Sequence, residues 1–107
     1  IRSSVDEYVV FKVDGELIRV HPMEIHYVRA MGNYVKCYYE KGCLLTQIPL
    51  KDVEKKLMGK RFLRVHKSFL VNKDKMTRLA GNTLFIHDDE IPIGESFKKE
   101  VIKYFSL

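Results

Sequence analysis

The chain is organised around residues 62–72, which read Phe62-Leu63-Arg64-Val65-His66-Lys67-Ser68-Phe69-Leu70-Val71-Asn72. Apolar side chains dominate both ends of this stretch, and they predict that it is anchored in a core. Four polar side chains interrupt the apolar run, and each of them is able to donate a hydrogen bond at neutral pH. A strand that only filled a core would have no use for four adjacent donors. We therefore expect the stretch to face a partner that is anionic and rich in acceptors.

Positive charge is concentrated around the same stretch. Residues 51–80 carry ten basic and three acidic side chains, whereas residues 1–50 carry six of each and residues 81–107 carry three basic and five acidic. A strongly basic block in a chain whose formal net charge is +5 indicates a face that meets a polyanion. A solvated helix explains the lysines that precede the stretch, but it does not explain Arg64 and Lys67, which lie inside an apolar run.

The composition is that of one globular domain of 107 residues. With 46% hydrophobic and 31% charged residues it is neither a disordered tail, a coiled coil nor a collagen-like fibre. No apolar run approaches the roughly 18 residues of a membrane helix, and the polar N-terminus does not resemble a signal peptide. Because the chain begins with Ile1, we expect residues 1–107 to be a single domain excised from a longer protein.

Two cysteines, Cys37 and Cys43, flank a predicted turn at residues 40–42. In the simplest hairpin registers Cys43 faces Glu40 or Tyr39, so the two thiols do not lie opposite each other and a disulfide is not expected. Free thiols are typical of a reducing compartment, and we therefore expect a cytoplasmic protein.

Short periodic segments separated by turn-forming pairs predict an antiparallel, mostly β domain with two short helices. One helix is predicted over residues 50–58 from its apolar spacing, and another over residues 97–105 with Ser96 as its N-cap. Strands and helices do not alternate regularly enough for a parallel sheet. Strands are predicted at residues 8–13, 16–20, 25–31, 34–39, 43–48, 76–80, 83–87 and 90–93, with residues 62–72 interpreted as loop and strand.

Patterns typical of enzymes and metal sites are missing from the sequence. None of the four histidines belongs to a zinc-binding helix pattern, and the acidic run Asp88-Asp89-Glu90 lacks the spaced oxygens and the glycine of a calcium loop. His66 and Ser68 resemble a nucleophile pair, but no acidic side chain is placed to orient the histidine and the surroundings are cationic. We therefore predict that the chain is not an enzyme and binds no metal or cofactor.

Nucleic-acid binding accounts better for the polar residues of the central stretch. Arg64, Lys67 and Ser68 suit phosphate oxygens, while Asn33, Lys67 or Arg64 suit base edges in a groove. His66 either contacts the partner or braces the stretch as a structural hydrogen-bonding group. Three tyrosines either stack on the bases of a single strand or are half-buried sheet residues: Tyr34, Tyr38 and Tyr39.

Four segments of the sequence resemble the LytTR family of bacterial DNA-binding domains. Residues 62–72 resemble the family signature, and Ile25-x-Tyr27-Val28-x-Ala30-x-Gly32-Asn33-Tyr34-Val35 resembles its apolar strand and Gly-Asn-Tyr turn. The family's short helix and closing strand are similar to Leu50-Lys51-Asp52-Val53-Glu54-Lys55-Lys56-Leu57 and to Ile91-Pro92-Ile93-Gly94. The segments occur in the family's order and together extend over almost the whole chain.

The resemblance implies an elongated fold of antiparallel sheets that binds double-stranded DNA sequence-specifically and regulates transcription. Such domains commonly follow a receiver domain in the response regulators of bacterial two-component systems. They bind tandem DNA repeats as pairs, insert loops into successive major grooves and bend the duplex. The expected partners are thus DNA and a receiver domain in the same full-length chain, without a membrane or a cofactor. Two alternatives are a single-stranded nucleic-acid binder and a basic protein-interaction module.

Site residues follow from the resemblance by position. Glu95 occupies a DNA-reading position that is usually basic in the family. A carboxylate is repelled by phosphates but accepts a hydrogen bond from cytosine, so Glu95 either reads a different base or has lost the contact. His66 is expected to brace the stretch. The implied base-reading residues are Asn33, Tyr34, Lys67 and Glu95, and the implied contacts to the DNA backbone are Lys51, Arg64, Ser68, Ser96 and Lys98.

Overall fold

The computed structural model describes residues 8–105, and two short α-helices and ten strands lie among them. A mostly β fold with two short helices is therefore confirmed. None of the helices in this part of the chain is long and apolar enough to cross a membrane. Helix α1 spans Leu50–Lys56 and α2 spans Lys98–Lys103. The strands are β1 (Val9–Val13), β2 (Glu16–Val20), β3 (Ile25–Met31), β4 (Tyr34–Tyr39), β5 (Gly42–Thr46), β6 (Phe62–His66), β7 (Phe69–Asn72), β8 (Arg78–Ala80), β9 (Thr83–Ile86) and β10 (Asp89–Pro92).

The strands pair in antiparallel fashion and form three sheets. β1 and β2 make a hairpin, β8 to β10 make a three-stranded sheet, and the other five strands form a sheet in the order β5-β4-β3-β7-β6. This five-stranded sheet is central because its two faces carry different cores. In β7, Leu70 packs into one core while Phe69 and Val71 pack into the other, since successive side chains of a strand point to opposite faces.

The first core lies between the central sheet, the β1–β2 hairpin and α1. Phe11 of β1, Val28 of β3 and Val53 of α1 belong to it, and none of them is more than 1% exposed. Leu57 follows α1 and is equally buried, which agrees with the apolar spacing that predicted this helix. Burying such a side chain contributes about 1.5–3 kcal/mol, so this core holds α1 against the sheet.

The second core lies on the opposite face of the central sheet, beneath the three-stranded sheet and α2. Val65, Leu84, Ile91 and Val101 come from four different elements, and all of them are fully buried. Their packing holds the last helix beside β6. The C-terminal part of the chain is thereby brought next to the stretch at residues 62–72.

Two β-bulges interrupt the pairing within the central sheet. In β6, Arg64 and His66 face consecutive residues of β7, so that Val65 is the extra residue. In β3, His26 occupies the corresponding place. A bulge bends its strand and redirects the side chains beside it, and the β6 bulge lies directly before the turn into β7.

The structure differs from the prediction at residues 62–72 and at the start of the last helix, and the strands predicted at residues 43–48 and 76–80 are Gly42–Thr46 and Arg78–Ala80. Residues 62–72, predicted as loop and strand, form a hairpin of β6 and β7 around a turn at Lys67 and Ser68. The last helix is preceded by a 3-10 turn at Glu95–Phe97 and no side chain caps it, so the prediction of Ser96 as N-cap is wrong. The reason is local, because the Phe97 N–H bonds to the Gly94 carbonyl oxygen at 2.9 Å and closes the tighter turn first.

Both cysteines are free, as predicted, although the predicted hairpin register is wrong. Cys43 lies opposite Tyr38, and Cys37 lies opposite Leu44. Tyr39 lies opposite Gly42, so the loop consists of Glu40 and Lys41, and the two thiols belong to different cross-strand pairs. Cys43 is exposed, whereas Cys37 is buried, and this burial raises the pKa of the Cys37 thiol to about 12.

Candidate nucleic-acid interface

Two turns of the central sheet lie side by side at one end of it. The β3–β4 turn contains Asn33, and the β6–β7 turn contains Lys67 and Ser68. β3 and β7 are neighbouring antiparallel strands, so the end of β3 and the start of β7 meet. The Ala30 N–H donates to the Ser68 carbonyl oxygen at 2.8 Å. The structure thus brings together two segments that are far apart in the sequence.

A third segment reaches the same end of the sheet along the edge strand β6. The Gly94 N–H donates to the Val65 carbonyl oxygen at 2.8 Å, and the Ile93 N–H donates to the Asn82 carbonyl oxygen at 2.9 Å. Gly94 sits close to β6, since a Cβ added to it would lie 3.7 Å from the Cα of His66. The backbone that leads into Glu95 therefore lies close to the end of β6, which precedes the β6–β7 turn.

The four residues implied as base-reading are all exposed. Tyr34 is 46% exposed to solvent, although it is a large aromatic residue of a strand. Lys67 has no side-chain partner within residues 8–105, so its ammonium group is available for a ligand. Three turns therefore place an amide, a phenol, an ammonium and a carboxylate at one end of the domain: Asn33, Tyr34, Lys67 and Glu95.

Of the residues implied as backbone-contacting, Ser68 belongs to the β6–β7 turn and Ser96 directly follows Glu95. Lys51 and Ser96 are exposed, while Ser68 and Lys98 are half-buried. The start of α1 borders the β3–β4 turn, because Leu50 lines the same small cavity as Asn33. Lys51 therefore lies near that turn.

Arg64 is held by acceptors within the protein. Its Nε donates to the His66 carbonyl oxygen at 2.9 Å, and Nη2 donates to the Lys67 carbonyl oxygen at 2.7 Å. Nη1 donates to Oε1 of Glu54 on α1 at 2.6 Å. The position that the resemblance assigns to a phosphate contact is thus occupied by a guanidinium that already binds three groups.

His66 and Ser68 are joined through the protein backbone. The Ser68 N–H donates to Nδ1 of His66 at 3.0 Å, and the His66 ring packs edge-on against Phe69 with 5.6 Å between ring centroids. Because Nδ1 accepts a hydrogen bond from an amide N–H, the ring proton of neutral His66 belongs on Nε2. This bond fixes the turn, and it involves the Ser68 amide rather than the hydroxyl group that a nucleophile pair would require.

Lys98 is bound to a residue that the sequence did not single out. Its Nζ donates to Oδ1 of Asn82 at 2.7 Å. Asn82 belongs to the β8–β9 turn, and its sequence signal is only that of a turn-forming Gly-Asn pair. The bond links this turn to the segment that carries Glu95, and it engages one of the cations expected at the DNA backbone.

Two of the three tyrosines have their rings engaged in the sheet. Tyr38 stacks on Tyr27 with 4.4 Å between centroids and 20° between the ring planes, while Tyr39 packs against the first core. Of the three candidates for stacking on unpaired bases, Tyr34 is exposed, whereas Tyr38 and Tyr39 are half-buried. A row of accessible aromatic rings, which single-strand binders use, is not formed by these three residues.

The basic block is partly neutralised within the fold. Arg61 forms a two-oxygen contact with Asp74, which holds the pKa of that carboxyl below its usual value. Lys75 pairs with Glu40 at 3.5 Å.

Within residues 8–105, no group of three or more His, Cys, Asp or Glu side chains is arranged to hold a metal ion. The acidic run is exposed, and the Tyr27 hydroxyl donates to one of its carboxylates.

Comparisons with known proteins find a family model, a relative and a solved structure that resemble this chain. The family model described as LytTr DNA-binding domain matches residues 15–106. Sensory transduction protein LytT from Oceanobacillus iheyensis is 34% identical over 74 residues, which are 68% of this chain and 30% of that protein. The chain therefore spans less than a third of that relative's length.

One solved structure has the same fold. It is the LytTr DNA-binding domain of a protein described as a methyl-accepting/DNA response regulator from Bacillus cereus. The match has a TM-score of 0.77 with 20% identity, and it covers 94% of this chain and 98% of that one. At this level of identity the likeness concerns the fold.

Proposed function

Since this chain belongs to the LytTr DNA-binding domain family, we propose that it binds double-stranded DNA sequence-specifically to regulate transcription. The observation that carries the proposal is the meeting of three turns at one end of the central sheet, joined by the Ala30–Ser68 and Gly94–Val65 hydrogen bonds. Turns that project from a rigid sheet suit the major groove, where each base pair presents a distinct pattern of donors and acceptors.

Each exposed side chain at the turns has a proposed role in base recognition. Lys67 donates to guanine, and Asn33 bonds to adenine through its amide. Tyr34 lies beside Asn33 and contacts the same groove. Glu95 accepts from the amino group of cytosine, which is the base-edge donor that suits a carboxylate.

Phosphate contacts position the domain on the duplex. Lys51, Ser68, Ser96 and Lys98 flank the base-reading turns, and contacts of this kind supply affinity without sequence preference. Arg64 was expected to share this task. Its three internal hydrogen bonds favour a role within the protein instead.

We also propose how the domain is arranged on DNA and in which protein it acts. The domain binds tandem repeats as pairs, with loops in successive major grooves of a bent duplex, and it acts in the cytoplasm as part of a response regulator with a receiver domain. The partial match to LytT, a sensory transduction protein, supports this context.

Selection of bound duplexes from a random pool tests the proposal, followed by anisotropy titrations against the selected duplex and a scrambled one. We expect a clear preference for the selected duplex and a steep fall in affinity with salt, because neutralising phosphates releases counterions. Equal affinity for both duplexes at moderate salt would contradict sequence-specific binding. Tighter binding to single strands than to the duplex, lost in Tyr34→Ala, would favour the single-strand alternative instead.

A further inference from the structure

Arg64 joins three parts of the protein through one guanidinium. It binds the carbonyl oxygen of His66 at the end of β6 and that of Lys67 in the β6–β7 turn, and it binds Glu54 on α1. The β6 bulge lies between Arg64 and His66, so the side chain bonds across an irregular part of the strand. We name these three bonds, which are 2.6–2.9 Å long, the Arg64 bridge.

The bridge leaves little of Arg64 for a ligand. A guanidinium has five N–H donors, and in Arg64 three of them are already hydrogen-bonded to acceptors of the protein. The side chain is 24% exposed. Oε1 of Glu54 lies 2.6 Å from Nη1, so this carboxylate would repel a phosphate that approached Nη1. Breaking the bridge to bind phosphate would remove the donor from the His66 carbonyl oxygen, whose bond is partly buried, and an unpaired buried acceptor costs free energy.

The bridge acts on the turn that carries Lys67. The Lys67 carbonyl oxygen is one of its acceptors, so the backbone from which the Lys67 side chain projects is fixed relative to α1. The lysine side chain itself is long and exposed, and its reach toward a base depends on where that backbone is held. Recognition sites need their supporting groups placed to about half an ångström.

We propose that Arg64 is a positioning residue for base reading by Lys67, anchored by Glu54, and that it is not a phosphate ligand. This inference rests on the proposed function of duplex binding. It assigns to Glu54, an acidic residue beside a DNA-binding face, a role that favours DNA binding. It also couples α1, and with it Lys51, to the β6–β7 turn.

Glu54→Gln separates the two roles of Arg64 by the sign of its effect. Gln keeps an acceptor for Arg64 but removes the charge, so the fold is retained while the bridge is weakened. If Arg64 positions Lys67, affinity for the selected duplex falls by roughly 3–10-fold, affinity for the scrambled duplex stays within about twofold, and the salt slope is unchanged. If Arg64 contacts phosphate, removing the opposing carboxylate strengthens binding to both duplexes by more than the removal of another carboxylate from α1 does, and this would overturn the inference.

Asp52→Asn provides the matched control. Asp52 lies on the same helix, and its side chain has no hydrogen bond or ion pair within residues 8–105. Its substitution removes the same charge from the same region, so it reports the general electrostatic effect alone. We expect equal, slight strengthening for both duplexes. A loss of specificity equal to that of Glu54→Gln would show that the bridge is not involved.

A second measurement combines Glu54→Gln with Lys67→Ala. If the bridge acts through Lys67, the double variant discriminates between the two duplexes as poorly as Lys67→Ala and no worse. Additive losses would show that Glu54 acts elsewhere and would overturn the inference. The titrations separate a failure of the proposed function from a failure of this inference. If the wild type shows no duplex preference, the proposed function is wrong. If the wild type shows a preference and Glu54→Gln retains it, only the positioning role of Arg64 is wrong.

Discussion

The backbone N–H of Ala30 donates a 2.8 Å hydrogen bond to the carbonyl oxygen of Ser68. The bond joins the end of β3 to the turn between β6 and β7, and it continues the β3–β7 pairing by one further contact. Because β3 ends at the turn that contains Asn33 and β7 begins at the turn that contains Lys67, the bond holds these two turns together. Two turns that are far apart in the chain thereby lie at the same end of the central sheet.

Lys67→Ala is expected to weaken binding to the selected duplex by about 1–3 kcal/mol, or roughly 5–150-fold, if Lys67 reads a base. The preference at one base pair should relax at the same time. Anisotropy titrations against the selected duplex and its single-base variants measure both effects. Lys55→Ala, on the exposed side of α1, is the control and should have little effect. An equal loss for all duplexes would assign Lys67 to phosphate.

Glu95→Ala tests the unusual carboxylate. If Glu95 accepts from cytosine, the variant binds the selected duplex about 1–3 kcal/mol more weakly and tolerates any base at one position. Duplex selection repeated with the variant would reveal that position. The opposite result, a uniform gain in affinity for all duplexes, would mean that Glu95 only repels phosphates and that the third contact is lost.

Asn72→Ala is expected to destabilise the fold rather than to impair recognition directly. Asn72 is 2% exposed. Its side-chain amide donates to the Ile25 carbonyl oxygen, and its Oδ1 accepts from the Asp74 N–H, both at 2.9 Å. Leaving these groups without partners costs about 1–3 kcal/mol, which urea unfolding measures. Asn82→Ala, at an exposed turn, should cost less, and equal costs would argue against this account.

Stability should fall as the pH decreases below the usual pKa of histidine, because of His26. Burial lowers the pKa of His26, and the nearby His87 and Lys75 lower it further. The folded protein therefore binds a proton at this site less readily than the unfolded chain does. The contribution is present in full above pH 6.5, the unperturbed value, and is lost progressively as the pH falls below it.

Thermal unfolding of the wild type and of His26→Gln between pH 8 and 5 measures this contribution. The variant should lose part of the pH dependence, since Gln retains a polar group near Glu40 but does not titrate. An identical slope in the two proteins would show that other groups govern the pH response.

Local patterns in the sequence were sufficient for most strands. The strands β2, β3 and β4 begin and end where alternation of side chains and turn-forming pairs place them. The apolar spacing of α1 likewise identified Val53 and Leu57 as core residues. These features depend on neighbours within a few residues, so a single sequence contains them.

Other features depend on contacts between distant segments. The bulge at Val65 and the 3-10 turn before α2 have no distinct local pattern, so the hairpin at residues 62–72 and the helix start were misjudged. Arg64 shows the same limit for the site. The sequence indicated that a cation inside an apolar run needed a partner, but Glu54 lies on a separate element ten residues earlier.

The sequence by itself determined the class of fold, the family and the kind of partner. It did so because apolar periodicity, turn residues and ordered motifs are local properties of the chain, and because a basic block is visible in the composition. Only the tertiary structure decided how the polar residues of the central stretch are used. It leaves the Lys67 side chain exposed and engages Arg64 with Glu54 and two carbonyl oxygens. Those bonds exist only where α1, the β6 bulge and the turn meet.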